Sequence, residues 1–286
     1  MTMSVLVTGA TGQVAGAMLP HLVSGGANVR ALIRDPAKGG KLPAGVEAVQ
    51  GDLDAHHGLV AAFEGADTVV IIHPPGAKAP EQSSNALWAA RRAGARRVVR
   101  LSAIGAGYDA PTINGRLHGV SDAEIAASDL RWTIIKPHFF LQNLLGMAGQ
   151  IAQGTLYMAM GEGKLPMIDV RDIGEFMARV VLGSGHDSKT YTITGPTALT
   201  LHDVTGAIGK AIGKQVAYVP VPVEAAASAM RSFGADEWMV GMMVDYFTAY
   251  SRSWASDVTP DFESVVGRKP RGVDEFARDF AGAFRG

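Results

Sequence analysis

Short apolar runs alternate along the first half of the chain with longer stretches whose apolar residues recur every three to four positions. The pattern predicts strands at 5–7, 29–33, 46–49, 68–72 and 98–101, with helices at 13–24, 57–64 and 81–93 between them. Strands joined by crossover helices pair in parallel, and their Val, Ile and Leu content fits a sheet covered on both faces. A helix over 119–128 then leads to a strand at 132–135, which Lys136-Pro137 is expected to close because proline cannot continue a ladder. This first region therefore reads as six strands of a doubly wound α/β fold.

The rhythm loosens beyond it. A helix over 139–152, a turn at Gly161-Glu162-Gly163, a strand at 166–169, a helix over 171–183 and a strand at 190–193 follow, the last returning to the sheet. Thr200 reads as the cap of a helix over 203–212, followed by a strand at 216–219 and helices near 222–233, 235–250 and 273–284. The predicted division is a nucleotide-binding domain over 1–150, rejoined by about 166–195, and a smaller, mostly helical substrate domain over 196–286 with about 151–165.

Directly after the first strand stands Thr8-Gly9-Ala10-Thr11-Gly12-Gln13-Val14-Ala15. Gly9 suits a tight turn, Gly12 lets backbone amides approach an anion, and Ala15 allows close packing of helix on strand. The unpaired N–H groups and positive dipole end of the helix that starts there complement phosphate oxygens. Glycines alone are weak evidence; their place at the first strand-to-helix junction of such a sheet makes Gly9, Thr11, Gly12, Gln13 and Val14 candidates for holding a dinucleotide diphosphate. The second strand ends at Ile33-Arg34 where NAD-binding chains often carry a carboxylate, so Arg34 favours a 2′-phosphate and NADP(H), with NAD(H) the alternative for which Asp35 would argue. Arg34 also reads as a solvated surface charge. Asp52 and Leu53 fall beside the expected adenine, where Asp52 reads equally as a turn aspartate. His73 and Pro74 end the fourth strand and are expected to line the cofactor channel, as is Pro137 after the sixth.

Gly9-Ala10-Thr11-Gly12-Gln13, Arg34-Asp35-Pro36, Gly51-Asp52-Leu53, the run Thr133 to Asn143, Asp169-Val170-Arg171-Asp172-Ile173 and Tyr191-Thr192-Ile193-Thr194-Gly195-Pro196 together resemble the NmrA-like atypical short-chain dehydrogenase/reductases. Phe262, Gly267-Arg268-Lys269-Pro270 and Phe276-Ala277-Arg278-Asp279 extend the likeness to the C-terminal helices. The resemblance implies a Rossmann domain binding NAD(P)(H) and a small C-terminal domain closing over a substrate cleft. It also implies relatives that reduce quinones or triphenylmethane dyes, or act as redox-sensing regulators. One departure matters: the Tyr-x-x-x-Lys pair of the wider superfamily is missing, for the expected helix reads Asn114-Gly115-Arg116-Leu117-His118-Gly119-Val120-Ser121-Asp122. Epimerase chemistry is thereby disfavoured, whereas a quinone-like or polycyclic aromatic carbonyl acceptor can take a hydride without a strong general acid. A non-catalytic NAD(P)-binding sensor is the alternative.

Composition narrows the partners. A net charge of −1 leaves no field to gather nucleic acid or an anionic membrane, and no apolar run approaches the roughly 20 residues of a bilayer span. With no cysteine there are no disulfides or thiolate sites, the opening residues do not read as a signal peptide, and a reducing cytoplasm fits. The scattered histidines predict no metal site.

Ser102, at a strand end, stands where the resemblance implies a serine or threonine beside the nicotinamide or substrate oxygen; it reads as well as a local backbone partner. His118 and His138 are the titratable candidates for proton donation, each also readable as a packed histidine. His138, Phe139, Phe140 and Asn143, with Tyr157, are candidate substrate contacts at the edge facing the nicotinamide. Met230, Phe233, Trp238, Met239, Met242, Met243, Tyr246 and Phe247 cluster in the C-terminal helices. They read first as helical core, second as an adaptable pocket for a flat aromatic substrate or the face of a homodimer.

Overall fold

The computed structural model describes residues 2–286; Met1, the first residue of the predicted nucleotide-binding domain, lies outside them. In chain order the first half comprises β1 (Ser4–Val7), α1 (Gln13–Ser24), β2 (Asn28–Ile33), β3 (Val46–Gln50), α2 (Leu59–Phe63), β4 (Thr68–Ile71), α3 (Ala79–Arg92), β5 (Arg97–Leu101), α4 (Ile113–Ala126) and β6 (Arg131–Pro137). Then come α5 (Ala148–Ala152), β7 (Thr155–Met158), α6 (Val170–Leu182), β8 (Lys189–Ile193), α7 (Leu201–Ile212), β9 (Ala217–Pro220), α8 (Val223–Ser232), α9 (Glu237–Ser251), α10 (Asp261–Val266), α11 (Val273–Asp279) and α12 (Ala281–Arg285).

Seven strands form one parallel sheet in the order β3-β2-β1-β4-β5-β6-β8, a Rossmann-like doubly wound arrangement. Apolar side chains alternate between its faces. Val5, Val7, Val29 and Val99 pack with Met18, Leu22, Ile173 and Phe176 from α1 and α6, while Leu6, Val69, Ile71 and Val98 pack with Phe63, Leu87 and Ile125 on the other side. The strand order reverses at β1, where β2 and β4 flank it, and that crevice at the strands' C-terminal ends is where such sheets bind ligands. A second parallel pair, β7 with β9, covers a separate core built on Leu156, Met158, Phe247, Tyr250 and Phe276. No helix among the described residues is long and apolar enough to cross a membrane.

Several predicted boundaries move, each for a local reason. The helix expected over 119–128 starts six residues earlier, because the Thr112 hydroxyl accepts from Gly115 N and caps it. The sixth strand runs on through Lys136 and ends at Pro137, whose position still pairs with Ile193 and whose carbonyl accepts from Ile104 N at 3.0 Å. No strand forms over 166–169; Ile168 makes a single bridge to Phe140, and the missed strand is β7. The helix expected over 139–152 is a 3-10 turn, Leu141–Met147, running into α5. That expected over 273–284 breaks at Phe280 into α11 and α12, and α10 was not anticipated.

Candidate functional site

The turn after β1 is held open by its own chemistry. Thr8, fully buried, donates from Oγ1 to the Ile72 carbonyl at 2.7 Å and accepts from Ile72 N at 2.9 Å, locking the ends of β1 and β4 together. Gly9 follows at φ +60°, and a Cβ there would lie 2.6 Å from the Ile72 carbonyl oxygen, so only glycine makes this turn. Gly12 precedes α1 without a side-chain cap, and the first intrahelical bond is Gly16 N to the Gly12 carbonyl. The amides of Gln13, Val14 and Ala15 are left without helical acceptors, no acidic side chain lies in that first turn, and Thr11, Gly12 and Gln13 are exposed. This concavity fits a diphosphate, and Val14 and Ala15 anchor it by burying their side chains in the core.

At the end of β2 the two competing residues are separated by their partners. Asp35 accepts from Ala37 N at 3.0 Å and caps the short 3-10 turn Pro36–Lys41. Arg34 is exposed and makes no ion pair among the described residues. Asp52 accepts from Asp54 N at 3.0 Å, forming the aspartate turn foreseen as its other reading, and the Leu53 carbonyl is held by Asn85.

The ends of β4, β5 and β6 carry a polar cluster that was only partly foreseen. Arg100 has no exposed surface. Its Nε donates to Asp122 Oδ1 at 2.8 Å, Nη1 to Ser83 Oγ at 2.9 Å and His73 Nε2 at 3.0 Å, and Nη2 to His118 Nδ1 at 3.1 Å. Ser102 Oγ donates to Asp122 Oδ2 at 2.7 Å, and Lys136 Nζ lies 3.3 Å from the same oxygen while donating to the Ala106 carbonyl. Three candidates, His73, Ser102 and His118, are thus joined by three residues the sequence reading did not single out, Arg100, Asp122 and Lys136. A signal for them existed: an arginine inside Val98-Val99-Arg100-Leu101 is out of place in a strand covered on both faces, and Asp122 stands one helical turn beyond His118.

Burial and the Arg100 charge push His73 down to about 4, and burial with Arg100, His73 and Lys136 holds His118 well below the usual imidazole range. His138, fully buried, is pushed down to about 3 by burial, with the Ala255 backbone opposing in part. None of the three is charged near neutral pH, which removes the expected reason for assigning proton donation to His118 and His138.

Around His138 the structure sorts the remaining candidates. His138 Nδ1 accepts from Phe139 N at 2.7 Å, and its ring packs on Tyr250, which stacks on Tyr246 and leans on Trp254. Phe139 meets the Tyr250 ring edge-on, and Tyr246 Oη accepts from Asn114 Nδ2 at 3.0 Å, joining α9 to the start of α4. His138 Nε2, which the Ala255 backbone only approaches, and Asn114 Oδ1 are buried without a well-formed hydrogen bond among the described residues. Phe140 turns the other way, into the core beneath α1 and α6. Asn143 points outward, whereas its neighbour Gln142 is buried and bridges Asp169 Oδ1 and Val170 N. Tyr157 lies half-exposed on the outer side of β7, since strand alternation sends Leu156 and Met158 inward, and it does not join the stack. The expectation that Phe140, Asn143 and Tyr157 share one surface with His138 and Phe139 is corrected accordingly. A hollow of about 740 Å³ along α7 and β9, lined by His202, Lys210 and Tyr218, lies away from these strand ends.

Residues 9–183 match the model of a family described as NAD(P)H-binding. The chain is 34% identical over 282 residues to the NAD(P)H azoreductase of Xenophilus azovorans, covering 98% of this chain and 99% of that one. Among solved structures it resembles an NADPH-dependent quinone oxidoreductase of Escherichia coli complexed with NADPH, with TM-score 0.88 and 25% identity, covering 96% of this chain and 99% of the other. It also shares the fold of the Citrobacter sp. triphenylmethane reductase complexed with NADP(H), with TM-score 0.87 and 23% identity, covering 98% and 100%.

Proposed function

The chain belongs to the NAD(P)H-binding family, in its NmrA-like atypical short-chain dehydrogenase/reductase branch, and from that premise we propose that it reduces a flat conjugated acceptor, a quinone or an azo compound, with NADPH preferred over NADH. It is an NAD(P)H-dependent oxidoreductase. The observation that carries the acceptor class is the aromatic stack of Tyr246, Tyr250 and Trp254 standing against His138 and Phe139, directly past the end of β6. Tyr250 and His138 are buried at its centre, and the partly exposed rings of Phe139, Tyr246 and Trp254 offer stacking area to an extended ring system and keep water from it. The azoreductase relative and the quinone oxidoreductase neighbour both act on acceptors of that shape.

When bound, the reduced nicotinamide supplies a hydride, and with one proton from water the acceptor gains two electrons and two hydrogens. The chain's part is placement. The amides of Gln13, Val14 and Ala15 hold the diphosphate, the free Arg34 guanidinium pairs with a 2′-phosphate, and His73, Pro74 and Ser102 line the crevice toward the acceptor. We further assign acceptor binding to the smaller C-terminal region and the working compartment to the reducing cytoplasm, in keeping with a chain that has no cysteine.

The test mixes purified protein with NADPH or NADH and a panel of quinones and azo dyes while following absorbance of the reduced cofactor. Oxidation that depends on the acceptor is expected. Tight cofactor binding with no oxidation across the panel would overturn the reductase reading in favour of a redox sensor.

A further inference from the structure

Arg100 determines where the protons of two histidines reside. A guanidinium only donates, so each imidazole nitrogen facing it accepts and carries no proton. His73 Nε2 is one such nitrogen, and its ring proton therefore lies on Nδ1, 3.1 Å from the Pro74 carbonyl. His118 Nδ1 is the other, and the one proton of the neutral ring lies on Nε2, across the ring from Arg100. That Nε2 has no hydrogen-bond partner among the described residues, yet it is not among the buried polar atoms left without one. It keeps contact with solvent at the strand edge, beside the stacked His73 ring at 5.5 Å and one helical turn from the carboxylate that holds Ser102.

We propose that His118 presents Nε2–H as a fixed, uncharged hydrogen-bond donor to the oxygen or nitrogen of the acceptor that gains charge during reduction, with Arg100 as the positioning residue that sets its tautomer. The inference rests on the reductase reading above. A preorganised neutral donor stabilises developing negative charge without having to give up its proton, which comes from water. Groups facing the ring from every neighbouring element favour that neutral state. Arg100 on β5 and Lys136 on β6 oppose a positive imidazolium, the neutral His73 ring after β4 stacks on it and buries it, and Asp122 on α4 is already engaged by Arg100, Ser102 and Lys136.

Nitrogen-15 NMR of the imidazoles in the native protein tests the tautomer without any substitution. His118 is expected protonated at Nε2 alone through neutral pH, with no titration at the ordinary imidazole value of about 6.5; an Nδ1–H tautomer, or titration at or above that value, would overturn the proposal. The second measurement compares His118→Ala with His118→Gln, whose side-chain N–H stands in for the lost donor. The alanine variant should lose about 100-fold in kcat while its NADPH affinity, measured by calorimetry, stays within about threefold, and the glutamine variant should recover about tenfold of the loss. Equal losses in both variants, or a parallel loss of NADPH affinity, would refute the role. If the native protein oxidises no NADPH, the reductase reading fails and the NMR measurement still decides the tautomer.

Discussion

Replacing Gly9 by alanine tests the diphosphate cradle at its most constrained point. Two costs are visible. Alanine at φ +60° costs about 1–2 kcal/mol relative to a right-handed conformation. Its Cβ would also sit 2.6 Å from the Ile72 carbonyl oxygen, against 3.4 Å for ordinary contact, so the turn must shift by about 0.8 Å. That shift strains the paired Thr8–Ile72 hydrogen bonds, each worth about 1 kcal/mol. The entropy alanine removes from the unfolded chain returns about 0.5–1 kcal/mol, leaving a net destabilisation of about 2–3 kcal/mol. Displaced amides also meet the diphosphate poorly, and losing one charge-assisted bond of about 1.5–3 kcal/mol weakens NADPH binding about 10- to 150-fold. Urea denaturation reads the first effect and titration calorimetry the second. Gly241, on the exposed side of α9 with no atom within 4 Å of where an alanine methyl would stand, is the control. Its alanine variant should be more stable by about 0.5–1 kcal/mol, with NADPH affinity unchanged. A Gly9→Ala protein that melts and binds like the native one would refute the reasoning.

Two further outcomes follow from the geometry. Arg34→Ala should weaken NADPH binding about 10- to 100-fold by calorimetry and leave NADH binding nearly unchanged; equal effects on both would remove the 2′-phosphate assignment. His73 and His138 are depressed to about 4 and about 3, below the ordinary imidazole value of 6.5, so the unfolded chain takes up protons first as pH falls. Their contribution is intact above about pH 6.5 and is lost as pH drops toward those values, on the order of 2 kcal/mol each by pH 5. Urea melts between pH 8 and pH 5 should show that decline, and stability independent of pH across the range would contradict the buried neutral rings.

Hydrophobic periodicity by itself determined the alternation of β1 to β6 with their crossover helices, because a strand covered on both faces has little choice of residues and a crossover must be amphipathic. Local turn chemistry was equally legible: the tight turn at Gly9 and the bare helix start at Gly12 follow from the strand-to-helix junction itself, although the Ile72 carbonyl that also excludes a Cβ at Gly9 comes from a distant strand end. Where contacts between distant segments decide, the pattern failed. β7 exists only because β9, some sixty residues on, pairs with it, whereas 166–169 looks like a strand but is threaded singly past Phe140. Phe139 and Phe140 are indistinguishable in the sequence, and only the packing of α9 on one side and of α1 and α6 on the other sends them into different cores. The cluster around Arg100 shows the same division most sharply. His73, Ser83, Arg100, Ser102, His118, Asp122 and Lys136 come from five elements or their ends, and which nitrogen of each histidine keeps its proton depends on a guanidinium that periodicity passed over inside an apolar strand.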